Sequence, residues 1–345
     1  MHKRTLLLAT TALAATQLSL TPVAKAETWE MNVGGFISQY FGYADGTSST
    51  NDGFAQQTDA EIEFTPSITL DNGLKLGANV QLEAQTDADQ IDQQFAYIEG
   101  SFGRIELGST DNAPAAMSIS VPSAGIGLDD GDSGNWIGGI NTDFVVTTPA
   151  FAIDEDSSQK LTYYTPRFSG FQVGASYVPE SVEDAGAPPD SANGVRDNAF
   201  GMAANYHQDF NDVTFGASAG YMHYGDDKAA AGAAPENYGF GVSLGYAGFT
   251  LGGTYNRLMD SSSGNLENFG LGLVYETGAF ASSLGYIHGD DKSSSAKSNA
   301  FELGASYALG PGVAAVFSFY YVGQETSVGS DLEGAAGVGG LALTF

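Results

Sequence analysis

From Leu74 to Ala84 the chain reads LKLGANVQLEA, and its apolar and polar residues alternate strictly. Leu74, Leu76, Ala78, Val80 and Leu82 fall on one face, while Lys75, Gly77, Asn79, Gln81 and Glu83 fall on the other. A period of two marks a β-strand with one apolar side. The same split returns at 61–70, where Ile62, Phe64, Ile68 and Leu70 oppose Glu61, Glu63, Thr65, Ser67 and Thr69. Further along, at 213–221 and 238–246, Val, Phe, Leu and Tyr oppose Gly, Ser and Thr. Sixteen strands are predicted in this way. Five precede a long interruption, at 30–43, 60–70, 74–84, 94–102 and 104–110. Eleven follow it, at 160–167, 171–178, 198–210, 213–224, 237–246, 249–259, 267–276, 280–288, 299–309, 313–323 and 333–345.

The connections alternate in length. Short ones at 71–73, 103, 168–170, 211–212, 247–248, 277–278 and 310–312 are rich in the Asn, Asp, Gly and Pro that tight turns require. Long, polar, acidic ones lie at 45–58, 180–196, 225–236 and 289–298. An even strand count, with short turns at one end and long loops at the other, predicts an all-β, antiparallel transmembrane barrel of sixteen strands. A soluble β-sandwich would not alternate its connections so regularly. The polar face carries mainly Gly, Ser, Thr and Asn, too small to fill so wide a cylinder, so water is expected inside and lipid against the apolar face. Tyr206, Phe210, Tyr221, Phe249, Tyr275 and Phe280 stand near row ends and predict aromatic girdles at both interfaces.

Composition narrows the class further. The formal charge of the 345-residue chain is -29, which argues against nucleic acid and for an environment that attracts cations. Cys is absent, so neither disulfides nor Cys-type metal sites are available. Lys3 and Arg4 precede the apolar run 6–20, and Ala24-Lys25-Ala26 is a small-residue cleavage site. Residues 1–26 are therefore expected to be a removed signal peptide, with 27–345 forming one barrel domain. Beyond that leader no apolar run approaches the roughly 20 residues of a spanning helix, which leaves strands as the means of crossing.

The stretch Lys160–Glu180, KLTYYTPRFSGFQVGASYVPE, resembles the hallmark hairpin of the Gram-negative general porins, in their alphaproteobacterial, Rhodobacter-like branch. Asp71-Asn72-Gly73-Leu74, the run SFGRIELG at 101–108 and the terminal Phe345 point the same way. The resemblance implies a trimeric diffusion channel in the outer membrane of a Gram-negative bacterium. It also implies that the third long connection, 112–159, folds into the lumen as a constriction loop, and that Phe345 is read by the outer-membrane assembly machinery. Leu341, Leu343 and Phe345 share one face, as that signal requires. In this family acids on the loop oppose Arg and Lys on the facing wall. Here the inward basic residues are few, Lys75, Lys160 and Arg104, and much of the wall from Asn198 onward is uncharged. The loop is therefore expected to carry most of the selectivity.

Candidate pore residues follow from these placements. Asp129, Asp130, Asp132 and Asp143 are the loop acids expected at the constriction rim, where carboxylates concentrate cations. Glu61, Glu63, Lys75, Glu83, Arg104 and Glu106 are expected on the pore wall. Asp129, Asp130 and Asp132 also offer spaced oxygens for calcium, without the terminal Glu of a full calcium loop. No other cofactor is expected. His207, His223 and His288 lie on separate strands with no nucleophile motif, so no enzyme is predicted. The expected activity is passive, cation-preferring passage of small hydrophilic solutes and ions. A substrate-specific channel and a non-conducting surface barrel are the alternatives.

Overall fold

The computed structural model describes residues 28–46, 52–84, 90–128, 136, 158–181, 196–225, 235–261, 264–325 and 331–345. The leader 1–26 lies outside them, as do Asp129, Asp130, Asp132 and Asp143 with the calcium site expected on the first three.

Sixteen strands are present. The first five are β1 (Glu30–Gly46), β2 (Gly53–Thr69), β3 (Lys75–Glu83), β4 (Ile91–Gly100) and β5 (Gly103–Ser109). A single helical turn, α1 (Ala113–Ala116), follows. Then come β6 (Gln159–Tyr164), β7 (Phe171–Glu180), β8 (Asp197–Phe210), β9 (Val213–His223), β10 (Glu236–Tyr246) and β11 (Phe249–Ser261). The last five are β12 (Gly264–Thr277), β13 (Phe280–Asp291), β14 (Lys297–Gly310), β15 (Val313–Glu325) and β16 (Asp331–Thr344). Every strand pairs antiparallel with its sequence neighbours, and β16 pairs with β1 to close the barrel.

The strands match the predicted ones, with one systematic difference at the long-connection end. There β2 begins at Gly53 instead of 60, and β12 at Gly264 instead of 267. Past the lipid boundary both faces of a strand are wet, so alternation fades while the hydrogen-bond ladder continues. At the other end the turns are tight. Ala247 (φ 50°) and Gly248 (φ 82°) both take left-handed backbone, the pairing that a two-residue hairpin needs to match strand twist.

Closure is complete to the last residue. Phe36 pairs with Thr344, and the register runs to Gly46 opposite Gly334. Gly35 and Phe345 then exchange two backbone hydrogen bonds of 3.1 Å. No sheet edge is left open, which a hydrocarbon environment demands. Outward side chains are apolar along the whole circumference, with Phe41, Leu107, Met202, Phe240, Leu284 and Leu303 among the exposed large ones. Leu341, Leu343 and Phe345 lie exposed on this outer face, on the one side that alternation assigns them. Tyrosines toward the long-connection end turn their hydroxyls to polar partners one strand on. Tyr221 donates to Glu236 (2.8 Å), Tyr255 to Glu267 (2.7 Å) and Tyr286 to Asn299 (2.8 Å). That arrangement is what an amphipathic ring at a membrane boundary calls for.

A track on the inner wall and the charged wall facing it

Of residues 112–128 only one turn is helical, and the remainder follows a defined path without regular structure. Asn112 accepts the Ala115 N–H on Oδ1 (3.0 Å) and Pro114 sits in the first turn, so the strand-to-segment junction folds as α1. The chain then runs along the inside of the barrel, crossing successive strands. A Cβ on Gly174 of β7 would lie 2.6 Å from Met117 Sδ, and one on Gly201 of β8 would lie 2.8 Å from Pro114 Cγ. Ile119 crosses β10, with its carbonyl oxygen 2.6 Å from where a Gly241 Cβ would stand. Pro122 sits over Gly252 of β11 and Gly272 of β12, and Gly125 over Gly304 of β14. Trp136 covers Gly42 of β1 beside Val338 of β16.

Serines on the same inward face hold what the glycines admit. Ser176 Oγ accepts the Ala113 N–H (2.7 Å), Ser218 that of Ile119 (3.0 Å), Ser283 that of Ala124 (2.9 Å) and Ser318 that of Ile126 (2.8 Å). Asn205 donates Nδ2 to the Met117 carbonyl (3.3 Å). Each buried amide of the segment that meets such an oxygen is spared a desolvation cost of about 1–3 kcal/mol.

The strongest attachment is a carboxylate. Glu302 on β14 is 3 % exposed. It accepts the Ser123 hydroxyl (2.8 Å), the Gly127 N–H (2.9 Å) and the Ser318 hydroxyl (2.7 Å). Tyr320 adds a bond from its hydroxyl to the Gly127 carbonyl (3.2 Å). Between these polar points Val121, Ile126, Leu128 and Trp136 pack against Tyr40, Ile287, Val322 and Val338 of the wall.

Two expectations are corrected here. The small residues of the second half were expected to border water, but along this track they are covered by chain. This wall of small residues, with Glu302 set in it, therefore lies underneath the segment and not opposite it. Lys160, expected as an inward cation, is only 4 % exposed. Its ammonium donates to the carbonyls of Thr110 and Ser158 (2.7 Å for the latter), clamping the two ends of the 112–159 connection. Lys160→Met should keep the aliphatic stem and lose both bonds, lowering the thermal midpoint of the purified barrel in a melting experiment.

The predicted wall residues do come together, on β2 to β5. Glu61 and Glu83 are directly paired across β2 and β3, and Glu63 pairs with Gln81. The Gln81 amide bridges the two β2 carboxylates, at 2.9 Å from Glu61 and 3.3 Å from Glu63. Toward the short turns Arg104 meets Glu106 at 2.6 Å and Glu99 at 3.4 Å. Its guanidinium also lies 3.8 Å from the centre of the Tyr97 ring, with Lys75 Nζ at 6.0 Å from the same ring. Gly77 makes this possible, because a Cβ there would sit 2.5 Å from the tyrosine hydroxyl. This wall is thus acidic toward the long connections and mixed toward the short turns.

Sequence reasoning missed Glu302, Tyr97 and the serine acceptors. A signal for Glu302 was present, since it is a mid-strand carboxylate at an inward position between outward Phe301 and Leu303. Among the described residues no group of three or more His, Asp or Glu is placed to hold a metal ion.

A closed cylinder of antiparallel strands, apolar outside and polar within, with chain laid along part of its inner wall, defines an outer-membrane channel and not an enzyme. The Gram-negative porin family matches residues 9–327, and the chain belongs to that family. It is 24% identical to a porin of Rhodobacter capsulatus over 276 residues, covering 67% of this chain and 87% of that one. An uncharacterised protein of Rickettsia bellii is 25% identical over 319 residues, covering 78% of this chain and 72% of the relative. Among solved structures, an anion-selective porin from Comamonas acidovorans superposes with a TM-score of 0.64 at 14% identity, over 92% of this chain and 100% of that one. The trimer form of an outer membrane protein of Vibrio cholerae gives 0.64 at 13% identity, over 92% of this chain and 100% of that one. At these identities the structural likeness is one of fold.

Proposed function

We propose that the barrel is a water-filled diffusion channel for small hydrophilic solutes and ions, with a preference for cations. The observation that carries the preference is the carboxylate group Glu61, Glu63 and Glu83 on the inner wall of β2 and β3. Fixed acids in a narrow aqueous passage raise the local cation concentration and repel anions. The segment 112–159 serves as the constriction, its track-bound part narrowing the lumen from the β7–β15 side. Asp129, Asp130, Asp132 and Asp143 would add to the acid field at its rim. The chain assembles as a homotrimer after export through a cleaved leader, with Phe345 as the signal to the assembly machinery.

Reversal potentials in planar bilayers under a salt gradient test the preference. The triple variant E61Q/E63Q/E83Q should lower the cation-to-anion permeability ratio by on the order of twofold. The effect should be largest at low ionic strength, where screening is weakest. An anion-selective parent channel, or an unchanged ratio in the variant, would remove the wall acids from the account.

A further inference from the structure

At the short-turn end of the lumen, between α1 and the strands β4 to β8, lies a cavity of about 570 Å³. Its volume is that of a small-molecule site and far exceeds what an ion needs. The lining combines two kinds of surface. Met117, Tyr164 and Pro166 are apolar or aromatic, whereas Glu99, Arg104, Glu106, Asp111 and Arg167 are charged. Arg167 donates to the Gly170 carbonyl (2.7 Å) and to the Gln172 amide oxygen (2.8 Å), both neutral, and it forms no ion pair among the described residues. Glu99 has a side chain 47% exposed and is held by Arg104 only at 3.4 Å. The shorter contact of Arg104, at 2.6 Å, goes to Glu106. A cation without a counter-charge and a loosely held carboxylate thus border one amphipathic space.

Resting on the channel function proposed above, we propose that this cavity is a retention site for small dipolar solutes bearing a carboxylate and an ammonium group, the chemistry of amino acids and short peptides. The carboxylate docks on Arg167, whose planar fork suits it. The ammonium docks on Glu99, and the intervening aliphatic part lies on Tyr164 and Pro166. A bare ion gains nothing from those apolar surfaces, and an uncharged sugar forms no ion pair with either charged group. Because the site lies beside the track-bound segment, a solute held there obstructs part of the conducting path. Permeation of this class is therefore saturable, while simple salts pass ohmically.

The test uses the full channel in a planar bilayer with alanylalanine as the probe, compared with its N-acetyl and its C-terminal amide forms. Alanylalanine should block the current saturably, and each capped form should bind about threefold to fivefold more weakly, as for a partly exposed ion pair. In R167Q, referenced to its own open-channel current, the dipeptide should lose affinity while the amide form is unaffected. In E99Q the converse holds, with the acetylated form unaffected. Equal block by all three compounds, or unchanged block in both variants, overturns the site while leaving the channel function intact. A barrel that conducts nothing overturns both.

Discussion

Replacing Glu302 with Ala should release the inner segment from the wall without unfolding the barrel. The variant loses an acceptor for Ser123, Gly127 and Ser318 at once, and the Gly127 amide is left buried without its carboxylate. Hydrogen bonds to charged groups contribute about 1.5–3 kcal/mol each and are not additive. A loss of about 3 kcal/mol raises the detached population by roughly 100-fold. Two readouts follow. Open-channel current noise should increase as the segment samples the lumen, and limited proteolysis should cut within 113–128, where the parent resists. Glu302→Gln retains the shape and one acceptor oxygen and should fall between the two. Parental noise and parental resistance in E302A would show that the serines and the apolar contacts hold the segment unaided.

Gly272→Val should do the opposite and push the segment inward. A Cβ at this position would lie 2.6 Å from the Pro122 carbonyl oxygen and 2.8 Å from Val121 Cγ1. Neither can yield locally, because the first is backbone and the second belongs to the packed cluster around Trp136. Overpacking of this kind costs about 1–3 kcal/mol. The segment relieves it by lifting off β12 toward the lumen, so single-channel conductance should fall. Gly337→Val, on the outer face of β16, is the control for the glycine-to-valine change itself, since nothing lies within 4 Å of a Cβ there and valine favours strands. A conductance drop in both variants, or in neither, would sink the idea that glycines seat the segment.

The barrel is legible in the sequence because its cause is local. Lipid on one side and polar surroundings on the other impose a period of two on each strand, so 74–84 can be read without knowing its neighbours. The charged wall follows for the same reason, since Glu61, Glu83 and Arg104 face inward by parity alone. What covers an inward residue is a different matter. Parity places Gly241, Gly272 and Ser283 on the lumen side, yet it says nothing of a segment over a hundred residues earlier lying on them, as Ser283 shows by bonding to Ala124. Ile119 and Pro122 read as loop residues because their partners are non-local. Lys160 misleads in the same way. Its position points it inward, but only the path of residues 110 and 158 shows that its ammonium donates to two carbonyls. Tyr97 needed knowledge of register, because its ring lies over a glycine on the adjacent strand.

Trp136 has a consequence for how the cylinder is put together. It sits across the junction of the first and last strands, with Gly42 of β1 and Val338 of β16 beneath it. Its docking surface does not exist until those two strands have met, since neither supplies it alone. Trp136 thus lies as an internal bolt over the joint between the first and last strands. Separating β1 from β16 would also strip Trp136 of the surface it packs on, which couples the sealed wall to the seating of the segment inside it.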